Sequence, residues 1–190
     1  SYEFWRDSQG NYRGFYPQLI QAINRKYDYH LQIRPVGGNQ ISQDFNHDRY
    51  GLYAGVIRTE ARARTKILSA RLFDNEVLAA SLSRTITSAN ELNQTRVVFR
   101  RNDATWDQDH IRYPDLHFSQ LQFVTTSEDA FGLLSENKAD FYINDATEMD
   151  DTLRDYTIAR PFPDLRIAAV LAFSPELRGL RNNINQLISE

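Results

Sequence analysis

Short runs rich in β-branched and aromatic residues alternate along this chain with stretches whose apolar residues recur at helical spacing, and that alternation restricts the fold more than any other feature. A chain that switches repeatedly between the two periods builds strands joined by helices, hence an α/β architecture. Residues 2–5 read as a strand and 7–11 as a turn around Gly10. Beyond Gly14, the spacing of Phe15, Leu19, Ile20 and Ile23 predicts a helix ending near Tyr27, with Pro17 admissible in its first turn. Residues 31–36 read as a strand, 37–39 as a turn, 50–56 as a strand entering the Thr59 loop, and 72–82 as a long extended segment.

The rest of the chain continues the pattern. Residues 87–92 read as a short helical or turn segment, 96–99 and 121–124 as strands, and 127–134 as a helix that Ser127 caps while Glu128 and Asp129 favour its positive end. Residues 139–143 read as a strand that stops at Asn144 and Asp145. A late strand over 165–171 precedes Ser174 and Pro175, which open a helix carrying Leu177, Leu180, Ile184, Leu187 and Ile188 along one face. Repeated β and α units predict parallel strands with crossover helices.

Composition removes several function classes. Of 190 residues, 41% are hydrophobic and 12% aromatic, enough for one large core or two small ones. The 22 Lys and Arg are interspersed with 25 Asp and Glu, a net charge of −3, so no concentrated positive surface exists for nucleic acid. The absence of cysteine excludes disulfides, thiol catalysis and thiolate metal sites. His30, His47, His110 and His117 are scattered without zinc-hydrolase spacing, and an exposed polar loop accounts for Asp107, Asp109 and His110. No nucleophile elbow, phosphate loop or dinucleotide fingerprint is present, and no carboxylate pair singles itself out for glycoside hydrolysis. The sequence therefore points to a non-enzymatic protein with no cofactor and no metal.

Four pieces in order, Gly14 and Phe15 with a following helix, the block from Thr59 to Phe73, the strand-ending Asp145, and the late strand leading to Ser174, Pro175, Glu176 and Leu177, resemble the type 2 periplasmic solute-binding family in its amino-acid-binding branch. Within the block, Thr59, Arg62, Leu68, Ser69 and Phe73 stand at the family's positions, with Leu68 where phenylalanine is usual and Arg58 where the family has a small or hydrophobic residue. The resemblance implies a two-lobed α/β fold crossed twice by the chain, with lobe one at 1–80 plus 166–190 and lobe two at 81–165. It also implies a ligand held in the cleft between them, a periplasmic or extracellular location, and either a membrane permease or attached transmembrane signalling domains as partner. Two departures stand out. No residues exist for the strand with which the family usually begins, and Arg100 to Trp106 lacks the glycines of the family's anion loop. The missing strand and the short tail after the last helix lean toward a receptor sensor over a transport protein.

Each candidate site residue has a functional and a structural reading. Arg62 offers a planar fork of donors to a carboxylate, or is a solvated charge beside Arg58, Arg64 and Lys66. Thr59 adds a hydroxyl to the same carboxylate, or caps the helix begun by Glu60. Asp145 receives an ammonium group from the opposite lobe, or belongs to a turn. Among Tyr2, Phe4, Trp5, Phe15 and Tyr53 most are core, with Phe4 or Trp5 the one expected to reach ligand; Trp106 is the counterpart across the cleft. The competing functional reading is a protein-interaction or structural module on the same scaffold that has lost its ligand; a hydrolase ranks below it.

Overall fold

The computed structural model describes residues 3–36, 38–101, 103–149 and 155–189. A small hairpin comes first, β1 (Trp5–Arg6) paired antiparallel with β2 (Tyr12–Arg13). Its turn is tied by the Asp7 carboxylate, which accepts from the amides of Gln9 and Asn11 and from Arg13 Nε. The strand expected over 2–5 is thus reduced to its end, and Tyr2 lies outside the described residues. Helix α1 (Phe15–Tyr27) ends where the sequence places it, with Asp28 in the left-handed conformation.

The expected strand over 31–36 does not form. Asn24 reaches over from α1, its amide accepting from the Leu31 N–H at 2.9 Å and donating to the Leu31 carbonyl at 2.8 Å. Those groups are no longer available to a ladder, and Pro35 carries no N–H to offer one. The turn expected at 37–39 is also replaced, since α2 (Gly38–Asn46) begins there; Gly37 is outside the described residues.

Strand β3 (Leu52–Ile57), α3 (Glu60–Thr65), β4 (Ile67–Leu68) and β5 (Phe73–Ser81) follow. A short 3-10 turn (Ala89–Leu92) leads to β6 (Arg96–Arg100), α4 (Ala104–Arg112), β7 (Gln120–Val124), α5 (Ser127–Ser135), β8 (Phe141–Asp145), α6 (Ala146–Met149) and β9 (Thr157–Ala159). The chain returns through β10 (Arg166–Phe173) to a 3-10 turn at Pro175–Leu177 and α7 (Arg178–Ser189).

The eight-stranded sheet has the order β3-β10-β5-β8-β6-β7, with β4 against β10 and β9 against β5. Parallel pairing holds only for β6 with β7 and β8; every described pairing of β3, β4, β5, β9 and β10 is antiparallel. The expectation of parallel strands throughout fails because β10 runs back from the far end of the chain and enters between β3 and β5, opposite in direction to both. Strand β5 changes neighbour in mid-course. Phe73 to Glu76 pair with β10, and from Val77 onward the same strand pairs with β8.

Alternation of side chains builds a core on each face of the sheet. In the half around β6, Val97, Phe99, Phe141 and Ile143 pack with Leu92 and Phe162 on one side, while Val98 and Tyr142 pack with Ala130, Phe131, Leu134 and Met149 on the other. In the half around β10, Leu171 and Phe173 meet Ile23, Leu180 and Ile184 of α1 and α7, while Val170 and Ala172 meet Phe45 of α2. Each large side chain so buried contributes about 1.5–3 kcal/mol. The first of these clusters also takes in Ile57, Val77 and Ile167, so it runs across the junction between the halves.

Candidate functional site

Thr59 sits just past the end of β3 in extended conformation and caps the six-residue α3, its Oγ1 accepting from the Arg62 N–H at 3.1 Å. The cap fixes the backbone of Arg62 and leaves the hydroxyl's own proton to donate elsewhere. The guanidinium is held in turn: Nη1 donates to the Ile57 carbonyl at 2.8 Å, and the group lies 5.2 Å over the Phe45 ring. Phe45 is itself fixed by Tyr53 and Tyr50 at 5.3 and 5.7 Å, and by Lys66, whose Nζ donates to the Phe45 carbonyl and the Asp48 carboxylate, both at 2.7 Å.

Burial lowers the pKa of Arg62, against the opposing pull of Asp103, Tyr53 and Asp107. The two carboxylates belong to the start of α4, in the other half of the molecule. Arg62 therefore faces the junction between the halves, yet among the described residues no carboxylate comes within ion-pair distance of it.

Opposite, Asp103 caps α4, its Oδ1 accepting from both the Thr105 N–H and the Thr105 hydroxyl at 2.8 Å. That helix replaces the glycine-free loop expected between Arg100 and Trp106; Asn102 is outside the described residues. It also corrects the exposed polar loop expected for Asp107, Asp109 and His110, because Asp109 is only 1% exposed with neither carboxylate oxygen hydrogen-bonded among the described residues. Burial lifts its pKa to about 7.

Strand β8 ends at Asp145 as the sequence places it, with Asp145 opposite Val77 and 3% exposed. A polar chain clamps this strand end. Asn144 Oδ1 accepts from the Asp145 N–H at 2.8 Å and lies 3.1 Å from the Thr105 hydroxyl, whose one proton it shares with Asp103, and Asn144 Nδ2 donates to the Tyr142 hydroxyl at 2.6 Å. The Tyr142 hydroxyl meets Ser127 Oγ at 3.0 Å, and burial pushes its pKa up to about 12. With Ser127 so engaged, the cap of α5 is Thr126, which accepts from the Asp129 N–H at 3.1 Å.

The structure thus brings Thr59, Arg62 and Tyr53 together and sets Asp103 and Asp107 against them. Asp145 ends β8 opposite Val77, where the pairing of β5 has passed to β8, and its charge acts on the Tyr16 phenol. Phe4 stacks on Tyr12 at 5.1 Å and Trp5 is in β1, both partly exposed. Trp106 packs on Phe99 and Phe123 and stacks on His110, within its own half. Sequence reasoning passed over Phe45, Asp103 and Tyr16. Only Asp103 carried a local signal, a capping residue directly before a helix-forming stretch. Among the described residues no three His, Cys, Asp or Glu are grouped to hold a metal ion, and no helix is long and apolar enough to cross a membrane.

Neither a protein-family model nor a curated protein sequence matches the chain. Solved structures do. The substrate-binding protein of an ABC uptake transporter from Streptococcus pneumoniae with bound histidine matches at TM-score 0.76 and 17% identity, covering 99% of this chain and 81% of that one. Holo ArgBP from T. maritima matches at 0.74 and 19%, covering 98% and 84%. A periplasmic binding protein of an arginine transport system from Legionella pneumophila matches at 0.75 and 16%, covering 98% and 87%. The chain accordingly has the two-lobed α/β fold of the type 2 periplasmic binding proteins.

Proposed function

We propose that this protein captures a small amino-acid-like or carboxylate-bearing solute, without catalysis, between lobes formed by residues 1–80 plus 166–190 and by 81–165. The exchange of neighbours along β5 between Glu76 and Val77 supports a division close to those limits. Arg62 meets the carboxylate and Thr59 donates its hydroxyl to it, while Asp145 takes the ammonium group from the other side. Tyr53 flanks the apolar part of the ligand, and Phe4, Trp5 and Trp106 line the approach. The observation that carries the reading is the state of Arg62, a partly buried guanidinium anchored by a carbonyl and an aromatic ring but left without an ion-pair partner among the described residues. Such a charge is costly to keep partly desolvated unless an anion joins it, and a charge-assisted pair there is stronger than one in water. The histidine and arginine named for the similar structures support an amino acid as the ligand class. The place of action is the periplasm or the cell exterior, and the closed form is read by a membrane permease or by attached transmembrane signalling domains.

One observation favours a second reading, a ligand-free interaction module. Asp103 itself occupies the first turn of α4, taking the Thr105 amide that would otherwise face an anion. A thermal-shift screen of the standard L-amino acids and small carboxylates separates the two, because a ligand that binds only the folded state raises its stability by mass action. The expected result is a specific upward shift that Arg62→Ala removes, with an unfolding midpoint in the absence of ligand close to that of the native chain. No shift with any compound favours the second reading; a shift that survives Arg62→Ala removes the assigned role.

A further inference from the structure

Tyr16 projects from the first turn of α1, and its ring packs against Phe15 and Phe73. The residue is 7% exposed and its hydroxyl has no hydrogen-bond partner among the described residues. The Gly55 N–H faces the phenol without reaching hydrogen-bond geometry. A lone buried hydroxyl is a standing cost to the fold, since phenylalanine would fill the same space without it.

Its surroundings indicate what the hydroxyl is for. The backbone of Glu3 is fastened over α1, its carbonyl accepting from the Tyr16 N–H at 3.1 Å and lying 2.6 Å from where a Cβ on Gly14 would stand. Asp145, at the end of β8 on the far side of the junction and opposite Val77, adds its negative charge to the phenol's surroundings. Burial first, then the negative charges of Glu3 and Asp145, raise the phenol's pKa, so at neutral pH it is a hydroxyl in an anionic field. Gly55, at φ +74, leaves the fourth side without a side chain; a Cβ there would come to 3.9 Å from the hydroxyl. Negative charge from each side of the junction and an unpartnered oxygen are the features that receive an organic ammonium ion.

We infer that Tyr16 is a specificity-determining residue, its hydroxyl accepting a hydrogen bond from the ammonium group of the bound solute while Glu3 and Asp145 balance that charge. The assignment rests on the solute-binding reading above and extends it from Asp145 to a corner built by both halves. Fidelity to amines then comes from the fold as a whole, because neither half alone supplies both carboxylates.

The test takes the tightest binder among the standard L-amino acids and its des-amino analogue, and compares the native chain with Tyr16→Phe by titration calorimetry. The amino acid should lose about tenfold or more in affinity, the worth of one hydrogen bond to a charged group. The des-amino analogue should change by less than about twofold, and the unfolding midpoint of the unliganded variant should stay level or rise. Equal weakening of both compounds, unchanged binding of the amino acid, or a lowered midpoint overturns the assignment, the last because it shows the hydroxyl to be part of the fold. If the native chain binds no amino acid at all, the underlying reading fails first, and that outcome is distinct from a native chain that binds while the variant is indifferent.

Discussion

At the scale of single residues, Asp109 shows how a buried carboxylate with no hydrogen-bond partner among the described residues bears on stability. The unfolded chain gives up this proton near 3.8, whereas the folded chain holds it until about 7. Between those values the native state binds more protons, so stability falls as pH rises through that window and levels off above it. Asp109→Asn removes the titration. Its unfolding free energy should be flatter between about pH 4 and pH 8, and at the alkaline end should exceed that of the native chain by on the order of 1–3 kcal/mol. Denaturant melts across that range read the slope directly; parallel curves for the two proteins would show that the carboxylate is hydrated in solution. None of this was legible in the sequence, where Asp109 is one acid among Asp107, Gln108 and His110. Its burial depends on which face of α4 meets the sheet, and that face is set by Ala104 and Thr105.

At the scale of elements, strong periodicity was read correctly and local competition was not. The limits of α1, the span of β5 and the helical end of the chain followed from spacing alone. Residues 31–36 failed because a side chain, Asn24, took over backbone groups that a strand would have used, an exchange invisible to any count of apolar residues. Of the candidate site, the Thr59 and Arg62 pair was visible as a cap followed three residues later by a donor, while Phe45 fell between the turn expected at 37–39 and the strand expected at 50–56, where no element was expected. Gly14 illustrates a requirement that belongs to the junction of two elements. It holds φ +111 with the Glu3 carbonyl where a Cβ would stand, so α1 begins hard against the incoming hairpin. Gly14→Ala combines a disfavoured backbone with a contact to main chain that has little room to yield, and should cost about 1–3 kcal/mol by denaturant titration. A loss below about 0.5 kcal/mol, the ordinary range for a surface change, would mean that the hairpin lifts away freely.

At the scale of the whole molecule, the two halves are joined by more than a tether. Strand β5 pairs with strands of both halves, and one apolar cluster gathers Ile57, Val77 and Ile167 with Phe99 and Phe162. Neither half keeps its core intact when the other unravels, so calorimetry should record a single heat-absorption peak whose calorimetric and van't Hoff enthalpies agree. Two resolved peaks would show that the shared cluster contributes little. The same continuity bears on how the halves move. A change of neighbour inside one unbroken ribbon marks the peptide between Glu76 and Val77 as the seam between the halves. If the proposed solute draws the jaws together, that seam is where the ribbon has to flex.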